Sequence, residues 1–310
     1  MDKIKIIGGN RLNGQIYISG AKNAALPLIC ASLLTDETVT LTNMPMLSDI
    51  RSMNALLEQM GTQIDSFDDF VDGHATKTYS YRTQKFSSLI APYDYVRKMR
   101  ASYYVLGPVL AREGHVELSL PGGCAIGARP MDIHLSSLEQ MGATIEIKNG
   151  YVHADIKGRL KGAHITFHTA SVGATCNILM AATLAEGETV IENAAKEPEI
   201  GDLIDLLTAM GAKIEGRDSS KLTIQGVDKL HGAQHKVIAD RIEAGSYAIA
   251  AAITNGRLEL INAQASTLRT PIEILRAMGV SVEEGKDSLL IDAKGKTLTG
   301  QDIMTDYYPG

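Results

Sequence analysis

Apolar and polar positions along the chain recur four times in the same order. The phrase Leu57-Glu58-Gln59-Met60-Gly61-Thr62-Gln63-Ile64 returns at Leu138 to Ile145, at Leu207 to Ile214 and at Leu275 to Val282. Its glycines, Gly61, Gly142, Gly211 and Gly279, lie 81, 69 and 68 residues apart. Each phrase predicts the last turn of an amphipathic helix, a glycine at its C-terminal cap and an alternating strand beyond it. A second phrase precedes each of these: a small-residue helix, a turn and a strand. It runs through Ala31 to Leu41, Ala111 to Leu118, Ala182 to Ile191 and Ala252 to Leu260. The predicted repeat is therefore helix–strand–helix–strand, near residues 22–66, 98–148, 170–216 and 241–285. Repetition at a near-fixed period is a signal about the whole fold. Helices that alternate with strands predict the α/β class, packed around shared cores. The first helices are rich in small residues (Ala21, Ala24, Ala25; Ala174; Ala248, Ala250, Ala251, Ala252), which suggests close packing in a crowded centre. The first nine residues alternate as a strand would.

The length of 310 residues admits about two domains of roughly 150 residues each. Three repeats fill residues 22–230, and a fourth begins near residue 235. The expectation is one complete three-repeat domain and one incomplete one.

Composition narrows the function classes. The net charge of −6 and the lack of a long basic block argue against a nucleic-acid groove, while leaving room for a local basic pocket. The three cysteines, Cys30, Cys124 and Cys176, have no Cys-x-x-Cys spacing and no histidine cluster beside them. That reads as a reduced, cytoplasmic protein with no structural metal and no cofactor. The most apolar stretch, Ala24 to Leu34, holds Pro27 and Ser32 and is too short to span a bilayer, and no membrane partner is expected.

The candidate chemistry gathers in Leu120-Pro121-Gly122-Gly123-Cys124-Ala125-Ile126-Gly127-Ala128-Arg129-Pro130. Its glycines permit backbone conformations that a Cβ forbids and leave room for a ligand at the main chain. Arg129 offers a planar charged fork for phosphate or carboxylate. Beside it, Cys124 is expected to feel positive potential that favours its thiolate. A lysine at the start of an alanine-rich helix, Lys22, is suited to an anion, since the helix dipole and the ammonium act together. Arg97, Lys98 and Arg100 form a cationic run of the kind that usually makes a solvated helix face. His115, His134, His153 and His168 have no metal spacing and are read as surface or structural residues. Asp49 is read as a local cap or ion-pair partner.

These residues resemble a known family. Ser19-Gly20-Ala21-Lys22-Asn23-Ala24, Arg97 to Ser102, the Cys124 loop through Arg129-Pro130-Met131-Asp132, Ser171-Val172-Gly173-Ala174-Thr175 and Asp240 to Gly245 stand in the order and spacing of the UDP-N-acetylglucosamine 1-carboxyvinyltransferases. The resemblance runs from Lys3 to Gly310. It implies the enolpyruvyl-transferase fold, an inside-out α/β barrel of two similar domains with the active site in the cleft between them. Residues 22–230 would form one domain, and residues 1–21 with 231–310 would belong to the other.

The implied reaction joins phosphoenolpyruvate to the 3-hydroxyl of UDP-N-acetylglucosamine and releases phosphate, the first committed step of peptidoglycan synthesis. By resemblance, Lys22, Asn23 and Arg129 bind phosphoenolpyruvate, and Cys124 is the proton donor and the target of fosfomycin. Arg100, then Arg129, Pro130, Met131, Asp132 and Ile133, then Thr169, Ala170, Ser171, Val172 and Gly173 would line the nucleotide sugar. Many relatives carry lysine where this chain has Thr169, so the resemblance gives that position no charged phosphate contact. Asp240, Arg241 and Glu243 are read as a hinge and cleft network.

The same resemblance places the family's catalytic aspartate and phosphate-closing arginine beyond Gly310. The expectation is a half-built second domain that exposes core faces and strand edges, with residues 22–230 able to fold. Two alternatives stand beside the main reading. One is a non-catalytic fragment that binds nucleotide sugar; the other is a 3-phosphoshikimate enolpyruvyl transferase. The sequence leaves the oligomeric state open.

Overall fold

The four repeated glycines end helices as the pattern predicts. Gly61, Gly142, Gly211 and Gly279 have φ values of 107°, 94°, 101° and 98°, left-handed conformations that a Cβ would strain. The computed structural model describes residues 3–71, 74–97, 99–120 and 131–310.

Strand β1 (Asn13–Tyr17) precedes the repeats. The first repeat holds α1 (Lys22–Ala31), β2 (Val39–Met44), α2 (Ser48–Met60) and the hairpin β3 (Gln63–Val71) and β4 (His74–Arg82). The second, after the connecting strand β5 (Ile90–Ala91), holds the turn α3 (Tyr93–Val96), α4 (Leu106–Glu113), β6 (His115–Ser119), α5 (Asp132–Gln140), β7 (Thr144–Lys148) and β8 (Tyr151–Asp155). A 3-10 turn, Arg100–Val105, leads into α4. The third repeat, after the connecting strand β9 (His164–Thr166), holds α6 (Val172–Thr183), β10 (Glu188–Glu192), α7 (Pro198–Ala209), β11 (Lys213–Glu215) and β12 (Lys221–Gln225). Then come β13 (Gln234–Lys236), α8 (Arg241–Ile253), β14 (Arg257–Ile261), α9 (Arg269–Ala277), β15 (Ser281–Glu284) and β16 (Ser288–Asp292). Among the described residues the alternating stretch before β1 forms no strand, and Ile4, Ile6 and Ile7 are exposed.

Each repeat has more strands than the pattern predicts. The four sheets run β13-β2-β4-β3, β5-β6-β8-β7, β9-β10-β12-β11 and β1-β14-β16-β15. In each, a hairpin adds an antiparallel strand and the first strand is borrowed. β5 follows the first repeat and pairs parallel to β6 of the second; β9 follows the second and pairs parallel to β10 of the third. β13 follows the third and returns to pair parallel to β2 of the first. The borrowing closes a ring, and it covers one exposed edge of every sheet. By contacts the chain forms two compact units, one of Lys22–Ile238 and one of Met1–Ala21 with Ala239–Gly310. The three-repeat unit thus extends to Ile238, past the boundary at 230, because β13 completes its first sheet.

The repeats of this unit share one core. In α1 every residue from Ala24 to Ala31 is buried, and in α6 every residue from Ala174 to Thr183. A helix that is apolar on all sides belongs inside. α6 packs against both α4 and α1 there. In α2, by contrast, only one face is buried: Ile50, Met53, Asn54, Leu56, Leu57 and Met60. Cys30 and Cys176 are buried free thiols, and burial pushes both pKa values up.

Two arginines tie the repeats together through main-chain carbonyls. Arg112, at the end of α4, donates from Nη1 to Leu33 O (2.9 Å) and Thr35 O (2.8 Å), and from Nη2 to Thr83 O (2.7 Å) and Gln84 O (3.3 Å). Arg159 reaches into the third repeat, to Leu184 O, Ala185 O and Val227 O. The third returns to the first through Thr35 Oγ1, which donates to Leu230 O (2.9 Å), and through Lys229 against Asp36.

The second unit has its own core, including Ile18, Ala248, Ala251, Leu260, Ile272 and Ile291. Within it α8 buries Ala244, Ala248, Ala251 and Ala252. Ile242, Ile249 and Ile253 of the same helix are exposed. α8 thus presents an apolar stripe of the kind that α1 and α6 bury among sister helices.

Candidate active site

The sequence of α1 fixes where its lysine can go. Ala21 and Ala24 are buried on either side of Lys22, so the ammonium lies half-exposed at the first helical position. There it meets Asp49: Lys22 Nζ is 3.2 Å from Asp49 Oδ2. Asp49 lies in the first turn of α2, where the helix dipole favours its negative charge. Asn23 is exposed beside Lys22.

A second constellation forms where the turn before α4, the start of α5 and the start of α6 meet. The Arg100 guanidinium lies 5.8 Å from the centroid of the Tyr103 ring. Its Nε is buried and has no hydrogen-bond partner among the described residues. Ser171 caps α6, its Oγ accepting from Ala174 N (3.3 Å). Thr169, Ala170, Ser171, Val172 and Gly173 are half-buried, and Met131 and Ile133 are buried. Asp132, in the first turn of α5, has His168 Nε2 at 3.9 Å.

At the centre of this constellation is His134, which is 3% exposed. Its Nδ1 is 3.0 Å from Asn177 Nδ2, and its ring meets Tyr103 edge-on, with centroids 4.9 Å apart. Burial pulls its pKa down from 6.5 to about 4; Arg100 adds to this and Asp132 opposes it. The unfolded chain therefore takes up a proton at His134 before the folded chain does. The contribution of neutral His134 to folded stability is fully present above pH 6.5 and is lost as pH falls toward 4. The expected weakening is of the order of 2–3 kcal/mol across that window. Chemical denaturation at pH 7 and pH 4.5 measures it. A His134→Gln protein with the same pH slope as the unaltered chain would refute the attribution.

A third network belongs to the second unit. Asp240 caps α8: its Oδ1 accepts from Ile242 N (2.9 Å) and Glu243 N (3.0 Å). Glu243 Oε2 accepts from Ser19 N (2.9 Å) and Ser19 Oγ (2.6 Å), and Asp240 N donates to Ser19 O. Arg241 lies over the Tyr308 ring at 5.0 Å. Asp240 and Glu243 thus fasten the first part of the Ser19 to Lys22 motif to the start of α8.

The structure thus brings Arg100, Met131 to Ile133 and Thr169 to Gly173 into one constellation, and pairs Lys22 with Asp49. Cys124, Arg129 and Pro130 lie outside the described residues, as does Lys98. Tyr103, His134 and Asn177 are members that the sequence reading missed. Asn177 carried a signal, since it is an amide in the middle of an otherwise apolar helix. Among the described residues no group of histidine, cysteine and carboxylate side chains could hold a metal ion, and no helix is long and apolar enough to cross a membrane.

Residues 6–309 match the family described as EPSP synthase (3-phosphoshikimate 1-carboxyvinyltransferase). Solved structures agree on the fold. The enolpyruvyl transferase NikO from Streptomyces tendae superposes with a TM-score of 0.77 at 21% identity, covering 92% of this chain and 66% of that one. EPSP synthase from Acinetobacter baumannii gives 0.70 at 22% identity, covering 96% and 68%. The class is thus the carboxyvinyltransferases with an enolpyruvyl-transferase fold.

Curated relatives are more specific. The protein from Paramagnetospirillum magneticum named UDP-N-acetylglucosamine 1-carboxyvinyltransferase is 54% identical over the whole of this chain and 72% of its own length. Those of the same name from Granulibacter bethesdensis and Acinetobacter baylyi are 52% and 51% identical, with 72% and 69% of their lengths covered. This chain belongs to the UDP-N-acetylglucosamine 1-carboxyvinyltransferase family, and spans about seven-tenths of these relatives' length.

Proposed function

We propose that this chain transfers the enolpyruvyl group of phosphoenolpyruvate to the 3-hydroxyl of UDP-N-acetylglucosamine. The identity of 54% along the whole chain with a relative of that name carries the reading. The methylene carbon of phosphoenolpyruvate gains a proton and the sugar oxygen bonds to the central carbon. The methyl group so formed then loses a proton as the C–O bond to phosphate breaks, giving an enol ether and free phosphate.

In this reading Cys124 supplies the proton, and Lys22, Asn23 and Arg129 hold the phosphate and carboxylate of phosphoenolpyruvate. Arg100, Arg129, Pro130, Met131, Asp132, Ile133 and Thr169 to Gly173 bind the nucleotide sugar. The buried, unsatisfied Nε of Arg100 beside the start of α6 supports an anionic ligand there, since a buried donor without a partner is costly. Asp240 and Glu243 hold the start of α8 against the segment leading to Lys22, and Arg241 lies over the Tyr308 ring. The reaction belongs to cytoplasmic peptidoglycan synthesis and hence to cell growth and division, and Cys124 is the group that fosfomycin would alkylate.

The test is phosphate release. Release is expected with both substrates together and with neither alone, and shikimate 3-phosphate should not replace the nucleotide sugar. Release that persists unchanged in Cys124→Ala would remove the thiol from the mechanism. No release from the unaltered chain would overturn the catalytic reading.

A further inference from the structure

Strand β3 is the outer strand of the sheet β13-β2-β4-β3, with β4 on one side and, among the described residues, no strand on the other. The matching outer strands β7, β11 and β15 are five, three and four residues long, whereas β3 has nine. Proteins usually blunt such an edge with a short strand, a lysine, a proline or a bulge. Gln63 to Val71 contains no lysine and no proline, and it pairs with β4 in one unbroken register. Phe67 and Phe70 are 59% and 70% exposed on this edge strand.

The two phenylalanines are three positions apart, so they belong to opposite faces of the sheet. Between them stand two carboxylates. Asp68 Oδ1 lies 2.7 Å from Lys77 Nζ; Asp69 accepts from Phe70 N (2.8 Å) and from Thr78 Oγ1 (3.1 Å). Along its length the edge therefore reads apolar, acidic, acidic, apolar. Pairing with β3 of another copy would set these carboxylates against one another, which is unfavourable. The edge fits an extended basic segment with two apolar residues at the same spacing.

The chain itself carries such a segment in Lys3-Ile4-Lys5-Ile6-Ile7. It alternates as a strand would, and all five residues are exposed. Ile4 and Ile7 are three apart, as the phenylalanines are, with Lys5 between them. In an antiparallel alignment Ile4 falls opposite Phe70, Lys5 opposite Asp69 and Ile7 opposite Phe67, each pair on one face. Gly8 and Gly9 follow the segment in open space, and the φ of 95° at Gly9 is one that a Cβ would strain.

We propose that residues Lys3 to Ile7 of one copy of this chain add as an antiparallel strand to the β3 edge of a second copy. Main-chain hydrogen bonds supply the attraction, and the Ile–Phe and Lys5–Asp69 pairs set the register. The two surfaces differ, so the contact is head-to-tail and leaves one edge and one segment free at the ends of each assembly. A strand of this length makes a small interface, so the association is weak, with a dissociation constant of about 10 μM to 1 mM. It is independent of the enzymatic reading.

Sedimentation equilibrium of the whole chain tests this. The weight-average mass should rise with concentration from that of a monomer toward twice that value or more near about 1 mM. Lys5→Asp and Asp69→Lys should each weaken association about fivefold or more, because each sets like charges opposite one another. Lys5 lies in an exposed segment outside any element, and Asp69 stands across from Thr76 in the hairpin, so neither change places like charges together within one copy. The double variant Lys5→Asp/Asp69→Lys restores opposite charges and should associate within about twofold of the unaltered chain. An equimolar mixture of the two single variants has one matched edge and one matched segment, and should stop at dimers.

An unaltered chain that stays monomeric at about 1 mM would overturn the proposal. Single variants that associate as the unaltered chain does would overturn it too, and would move the contact to another surface such as the exposed isoleucines of α8. A double variant as weak as the single ones would show that Lys5 and Asp69 do not face each other, and the proposed pairing would fall.

Discussion

Lys22→Met is expected to lower phosphate release from phosphoenolpyruvate and UDP-N-acetylglucosamine by about 100–1000-fold, the usual cost of removing one preorganised group that stabilises charge in a transition state. The side chain sits at the first position of α1, between buried Ala21 and Ala24, so its stem is confined while its ammonium stays accessible. In the proposed function the helix start and the ammonium would act on the same anion. Asp49 at 3.2 Å gives the ammonium a fixed partner. Both groups are more than a third exposed, so the pair adds about 0–1 kcal/mol to stability and its loss should not unfold the chain. Lys22→Arg keeps the charge but replaces a compact ammonium with a planar fork, and should recover little of the rate. Steady-state phosphate release on folded protein measures the effect. A fall of less than about tenfold would place Lys22 outside the transition-state contacts.

Arg112→Met is expected to destabilise the three-repeat unit by about 3 kcal/mol, because it leaves carbonyls of two chain segments without their donor. The four acceptors are Leu33 O, Thr35 O, Thr83 O and Gln84 O, all from the first repeat, while the arginine belongs to the second. The side chain is only 14% exposed, so water replaces these bonds poorly. Burial pulls the Arg112 pKa down, with Glu113 and Asp36 opposing, yet a guanidinium stays charged at neutral pH. Arg112→Lys, which cannot fork to four carbonyls, should recover only part of the loss. Urea unfolding should show a lower midpoint with an unchanged slope. A midpoint equal to that of the unaltered chain would mean that the first and second repeats are held together by apolar packing alone.

The repeat was legible because its signals are local. A glycine at a helix end must adopt positive φ, and Gly61, Gly142, Gly211 and Gly279 all do so. The borrowed strands were not legible. β5, β9 and β13 are two or three residues long, too short for any alternation to show, and their pairing depends on which edge is nearby in space. The stretch before β1 shows the converse: Ile4, Ile6 and Ile7 alternate as a strand would, but among the described residues they are exposed and form no strand. The candidate site divides in the same way. Lys22, Asn23, Arg100 and the Ser171 to Gly173 motif were identified from their order along the chain. Tyr103, His134 and Asn177 were not, because their meaning lies in one another.

By itself, then, the sequence determined the repeated α/β unit, the helix ends and the family, since each is written in residue order and local backbone preference. The tertiary structure decided how the three repeats close into a ring, which arginine holds which carbonyl, and which side chains surround His134. Those depend on groups tens of residues apart, as with Gly107, His134 and Asn177, whose hydrogen bonds form only once α4, α5 and α6 are packed together.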